Sequence, residues 1–189
     1  PGVIRYGAAA FSIGTKGYVG TGQVGSGETQ DFWEYNSITD TWTQKADFGG
    51  GLRTSAVGFS IGAKGYIGTG NSNGNDKQDF WEYDTTSNNW TQKADYVGGL
   101  REFSVGFSIG TKGFIGMGFW FNGTNWVPVK DFWEYNPTND SWTQKANFGG
   151  TARSGVVGFS IGNKGYIGIG NDGISVNNYR KDFWEYCPQ

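Results

Sequence analysis

The chain has 189 residues, of which 34 are Gly, 33 are aromatic (9 Trp, 10 Tyr, 14 Phe) and only 4 are Pro. A usual Gly share of ~7% would give about 13, so the composition excludes collagen, Pro-rich linker and disordered polar chain, and leaves a folded, turn-rich protein. With 15 Lys+Arg against 17 Asp+Glu the net charge is -2, and no general attraction to nucleic acid is expected.

Further exclusions come from single residue types. The chain contains no His, which removes the commonest general base, the Ser/His and Cys/His nucleophile pairs and every His-containing metal site. The single Cys187 cannot form an internal disulfide. No run of 18 or more apolar residues offers a membrane helix. The expectation is a protein without catalytic metal, cofactor or enzymatic activity.

Three signatures recur along the chain. Phe-Ser-Ile-Gly-x-Lys-Gly begins at Phe11, Phe59, Phe107 and Phe159, Asp-Phe-Trp-Glu-Tyr begins at Asp31, Asp79, Asp131 and Asp182, and Trp-Thr-Gln-Lys-Ala begins at Trp42, Trp90 and Trp142 without a fourth copy. The period of 48 to 52 residues divides one domain, 1–189, into repeats at about 1–48, 49–96, 97–148 and 149–189, the last truncated.

The second repeat shows the elements in order. Residues 56–61 alternate small and large side chains, the period-2 pattern of a strand packed on both faces, termed strand a. Gly62-Ala63-Lys64-Gly65 is a tight turn, and 66–70 form strand b. After a polar loop, 79–83 form strand c; 84–89 carry turn chemistry, and 90–94 form strand d. No window has helical periodicity. The total is 15 strands, four each of a, b and c and three of d.

A four-stranded antiparallel sheet with two apolar faces needs a neighbour on each side. Radial repetition supplies them, so the expected fold is an all-β β-propeller with one repeat per blade, the last blade lacking its outer strand. That strand position is expected to be filled by residues preceding Pro1, since the aromatic edge at 182–186 invites self-association if left open.

Arg53 before strand a, Gly65-Tyr66-Ile67-Gly68-Thr69-Gly70 in strand b, Tyr83-Asp84 closing strand c and Trp90 six residues later together resemble the kelch repeat. One departure is that the kelch double glycine appears here as Gly-Thr-Gly (68–70), Gly-Met-Gly (116–118) or Gly-Ile-Gly (168–170). The wording is similar to kelch-type propellers of secreted bacterial proteins of the galactose-oxidase-like kind. The resemblance implies an extracellular or cell-surface setting. It does not imply the Tyr-Cys copper site, which Tyr186-Cys187 faintly evokes, because that site needs His ligands.

Strand alternation sends the b–c loops and d–a links to one face. Only the b–c loops vary in length there, and binding usually lives in variable loops on a rigid scaffold. In the third loop Phe119, Trp120, Phe121 and Trp126 replace polar counterparts, and Asn122-Gly123 signals a protruding hairpin. Two readings stand: a satellite core folded over the disc, or an aromatic platform for a partner protein or a sugar ring.

Arg5, Arg53, Arg101 and Arg153 recur at the d–a link, where converging guanidinium groups can hold a carboxylate or sulfate. An Arg repeated with the fold is more simply a structural ion pair, with Glu34, Glu82, Glu134 and Glu185 as the expected partners. The stretch 71–76 resembles a calcium loop only weakly, having one carboxylate. The leading functional expectation is a non-enzymatic binding or scaffold module for a protein partner. The alternatives are carbohydrate binding through 119–129 and a structural spacer of a larger surface protein.

Overall fold

The computed structural model describes residues 2–173 and 178–188, and no helix occurs among them. Blade 1 contains β1 (Ala9–Ile13), β2 (Lys16–Gly20), β3 (Gln23–Val24), β4 (Gly27–Glu28), β5 (Phe32–Asn36) and β6 (Thr41–Gln44). Blade 2 contains β7 (Val57–Ile61), β8 (Lys64–Gly68), β9 (Asn71–Ser72), β10 (Asn75–Asp76), β11 (Phe80–Asp84) and β12 (Asn89–Lys93). Blade 3 contains β13 (Val105–Ile109), β14 (Lys112–Gly116), β15 (Phe119–Phe121), β16 (Trp126–Pro128), β17 (Phe132–Asn136) and β18 (Ser141–Lys145). Blade 4 contains β19 (Val157–Ile161), β20 (Lys164–Gly168) and β21 (Phe183–Tyr186).

The sheets are antiparallel, with orders β1-β2-β5-β6, β7-β8-β11-β12, β13-β14-β17-β18 and β19-β20-β21. This is a four-blade β-propeller whose last blade has three strands. The expected order a, b, c, d holds in blades 1 to 3 and a, b, c in blade 4, and in blade 2 strands a, c and d lie within one residue of their expected bounds. Strand b of blade 2 starts at Lys64, because Gly62 and Ala63 alone make the turn, with Gly62 at the first central position at φ 58° as a type II′ turn requires.

Blades meet through a knob-and-hole contact. In blades 1 to 3, strand a carries a Phe whose ring lies over a Gly in strand b of the next blade. A Cβ on Gly65 would sit 2.1 Å from Phe11, one on Gly113 2.5 Å from Phe59, and one on Gly165 2.4 Å from Phe107. That close approach is why the small residue of Lys-Gly recurs in every unit. Around it run aromatic clusters in which rings of one blade pack on the next, such as Phe80 with Tyr135 (4.8 Å) and Trp142 (5.0 Å).

The series ends at blade 4. Phe59 and Phe107 are 4% exposed, whereas Phe159 is 44% exposed, with Val157 and Ile161 beside it also exposed. At the other end of the series, Ala10 and Ser12 of β1 are exposed and Gly17 is half-buried. Thus the ring is open between blades 4 and 1 among the described residues.

Candidate binding face

The d–a links and b–c loops do share one face. They are tied by bridges Tyr6↔Gln23, Thr54↔Asn71, Glu102↔Phe119 and Ser154↔Asn171. Blades 1 and 2 also fold their b–c loops into small hairpins, β3–β4 and β9–β10, which the sequence reading missed because their residues are polar and turn-rich. The fourth loop includes 174–177, which lie outside the described residues.

The arginines occupy this face, but their partners differ from the expectation. Arg53 donates from both terminal nitrogens to Asp79 (2.8 Å each), Arg101 to Asp131 (2.7 and 3.1 Å), Arg153 to Asp182 (2.5 and 3.0 Å) and Arg5 to Asp31 (2.5 and 2.6 Å). The glutamates Glu34, Glu82, Glu134 and Glu185 stand three residues further along the strand. That is about 10 Å at the usual rise, beyond reach of a guanidinium at the strand's start.

Those glutamates serve the opposite half of the blade. Glu34 accepts from Lys16 Nζ (2.7 Å) and Tyr18 Oη (2.9 Å), and Glu82 from Tyr66 Oη (2.7 Å). Glu134 pairs with Lys145 (3.2 Å) and Glu185 with Lys164 (2.8 Å). The tyrosine of this pair in blades 1 and 2 is pushed well above the usual phenol range, by burial first and by the glutamate second.

Each Arg–Asp pair belongs to a larger clamp. The Trp two residues after the Asp donates its indole N–H to the same carboxylate, at 2.7 Å for Trp33, Trp81 and Trp184 and 2.8 Å for Trp133. Arg53, Arg101 and Arg153 stack on Phe48, Tyr96 and Phe148 at 5.1, 5.6 and 5.1 Å. The Arg also donates to the carbonyl of the middle residue of Gly-x-Gly: Thr21, Thr69, Met117 or Ile169. The amide of that residue donates to the carbonyl of the clamp Asp (3.0 to 3.1 Å).

The clamp explains the departure from the double glycine. Thr21, Thr69, Met117 and Ile169 have φ of 61, 59, 57 and 55°, a left-handed conformation that β-branched and bulky residues rarely adopt. The strain, about 1–3 kcal/mol, is held by the Arg and Asp on both sides of the peptide. Arg53, Arg101 and Arg153 are only 1–2% exposed. With their terminal nitrogens engaged, these arginines are fold elements and offer no open fork to a ligand. The recurrence of Asp31, Asp79, Asp131 and Asp182 in phase with the arginines was the signal available in the sequence.

The third loop forms the expected hairpin, β15–β16, with pairs Phe119↔Pro128, Trp120↔Val127 and Phe121↔Trp126. Asn122 Oδ1 accepts from the amides of Thr124 (3.0 Å) and Asn125 (2.8 Å), which fixes the turn. Phe119 leans edge-on against Phe103 (6.4 Å), and Phe121 lies tilted against Trp126 (5.1 Å). Trp120 and Phe121 are each 41% exposed. Phe119 thus packs against the disc, while Trp120 and Phe121 face solvent.

Open hollows flank the hairpin. On one side a groove of about 570 Å³ is lined by Trp120, Pro128, Lys130, Asp131, Thr151 and Ala152. On the other a hollow of about 430 Å³ is lined by Phe103, Phe119, Ile169, Tyr179 and Arg180. Near the second, at the junction of blades 2 and 3, two carboxyl groups are poorly solvated. Burial pushes Asp76 up to about 6, and burial with the nearby Asp76 charge pushes Glu102 up to about 7. Asp76 is tied by Asn71 Nδ2 (2.8 Å). Among the described residues there is no cluster of three or more His, Cys, Asp or Glu that could hold a metal ion, and no helix long and apolar enough to cross a membrane.

Four radially repeated blades, with a clamp at each strand a and loops gathered on one face, define a β-propeller. No family model matches the sequence, and no curated protein matches it. Among solved structures the chain is similar to that in "Structure of YjhT", with a TM-score of 0.77 and 16% identity over 99% of this chain and 66% of that one. The chain therefore spans about two thirds of that protein's length. At this identity the likeness shows the propeller fold alone.

Proposed function

We propose that the chain is a non-enzymatic binding module, of kelch-like type, that takes a protein partner on the face bearing the b–c loops. The observation that carries this reading is the β15–β16 hairpin. It places Trp120 and Phe121 in solvent between two hollows, where the first two b–c loops are polar. Exposed aromatic residues beside a concave surface are the usual anchors of protein interfaces. The absence of His supports a non-catalytic role, and the resemblance to secreted bacterial propellers favours a cell-surface setting.

A second reading is carbohydrate binding. It is favoured by the groove in which the Trp120 indole stands beside Lys130 and Asp131, a combination suited to a sugar ring and its hydroxyls. A glycan array and a panel of surface-protein ectodomains, each probed with the chain and with its Trp120→Ala/Phe121→Ala variant, separate the two. The protein reading expects an ectodomain signal that falls at least tenfold in the variant. Binding confined to glycans, or a protein signal unchanged by the variant, overturns it.

A further inference from the structure

The chain has two Asn-Gly dipeptides, Asn73-Gly74 and Asn122-Gly123, each at the tip of a b–c hairpin. We propose that Asn122 is a self-modifying residue, converted to aspartate and isoaspartate through a cyclic imide closed by the Gly123 amide, and that Asn73 is held back from the same reaction.

The step needs only water. The Gly123 amide nitrogen gives its proton to solvent and attacks Asn122 Cγ, and an electron pair moves onto Oδ1. As that pair returns, the Cγ–Nδ2 bond breaks, and ammonia leaves with a proton taken from water. Water then opens the five-membered imide at either carbonyl, giving aspartate or isoaspartate. Nothing is oxidised or reduced.

Three features of the β15–β16 tip favour the attack. Asn122 and Gly123 are exposed, and a Cβ on Gly123 would meet nothing within 4 Å, so the approach is open. The Gly123 amide has no hydrogen-bond partner among the described residues. Asn122 Oδ1, where negative charge develops, already accepts from the amides of Thr124 (3.0 Å) and Asn125 (2.8 Å). Donors at roughly 2.7–3.1 Å are what stabilises an oxyanion in acyl chemistry.

The β9–β10 tip has the same dipeptide and lacks two of these features. Asn73 and Gly74 are exposed, and the space around Gly74 is equally open. Its amide, however, donates to Asn71 Oδ1 (2.8 Å), which ties down the attacking nitrogen. No donor reaches Asn73 Oδ1 among the described residues. The fourth loop repeats the restraint, with the Gly173 amide donating to Asn171 Oδ1 (2.8 Å).

The cause of the difference lies in the bridge residue of each loop. Asn71 and Asn171 bridge to Thr54 and Ser154, and the residue bridged in the same way to Glu102 is Phe119. Phe119 has no amide oxygen to offer. The change that brings aromatic residues into the third loop thus also releases its glycine. Conversion puts a carboxylate directly after Phe121, and isoaspartate adds a backbone methylene beside the Phe121↔Trp126 pair. Any effect on binding rests on the partner face proposed above. The chemistry itself does not, because mass reads it without a partner.

The test incubates the 189-residue chain at mildly alkaline pH, native and in guanidinium chloride. Peptide mass mapping with isoaspartyl methyltransferase labelling follows both asparagines. In the native chain Asn122 should convert at least tenfold faster than Asn73, and in denaturant the two rates should converge. Asn71→Ala, which frees the Gly74 amide, should speed conversion of Asn73 and leave Asn122 unchanged. A native Asn122 that converts no faster than Asn73, or more slowly than in denaturant, overturns the proposal. So does a gap that persists in denaturant, which would assign it to neighbouring sequence alone.

Discussion

Blades 3 and 4 carry nearly the same words, yet their strands a live in different surroundings. Val-Gly-Phe-Ser-Ile is buried on alternate residues in β13, while the same five residues in β19 are exposed on four. The clamp is likewise intact in both, but Asp131 is 21% exposed in its side chain and Asp182 39%. Sequence therefore sets the blade and its hydrogen bonds, and position along the series sets how much of each apolar side chain leaves water.

The largest effect expected from this contrast is in the knobs. In dilute solution Phe107→Ala should cost about 3–5 kcal/mol, as for a buried ring whose cavity cannot collapse, and Phe159→Ala only about 1–2 kcal/mol for the half-exposed ring. Urea unfolding of both variants measures the difference.

The clamps come next. Asp79→Ala leaves the buried Arg53 guanidinium without its carboxylate, a loss of about 3 kcal/mol or more, and Asp182→Ala should cost less because water reaches that site. A double-mutant cycle should couple Arg53 with Asp79 by about 0.5–3 kcal/mol, while Arg53 and Glu82 should add independently. Coupling of Arg53 to Glu82 instead would restore the pairing expected from sequence.

The pH response separates an inner junction from the first blade. Arg5 and the Trp33 indole hold Asp31 down to about 2. The stability this gives is present above the ordinary carboxylate value of about 4 and is lost as pH falls through about 2. Asp76 and Glu102 act in reverse, since their pKa values are raised to about 6 and about 7. Their contribution is complete below about 4 and is lost as pH rises to about 7. Stability should peak between these limits, and Asp76→Asn with Glu102→Gln should flatten the decline between pH 5 and 8.

The smallest effect concerns the left-handed residues. Ile169→Gly should stabilise by about 1 kcal/mol, because strain is relieved at a position that buries little. Met117→Gly should destabilise, because its side chain is fully buried.

Most of the fold was legible because the words repeat: the strand order, the shared loop face and the blade 3 hairpin all followed from period and alternation. The clamp was half legible. Arg53 was visible as a repeated charge, but the distance separating Glu82 from Asp79 along the strand needed the register. The left-handed Thr69 was not legible at all, since only its contacts with Arg53 and Asp79 hold it there. Nor was the open joint, because Phe107 and Phe159 are the same word in the same phrase.

Amide hydrogen exchange on the 189-residue chain tests most directly the claim that position rather than repeat sequence sets the packing. The Gly22, Gly70 and Gly118 amides, bonded across a junction to the Arg53, Arg101 and Arg153 carbonyls, should be protected, and the Gly170 amide in the same Gly-x-Gly setting should exchange orders of magnitude faster. Protection of Gly170 equal to that of the other three would contradict the account.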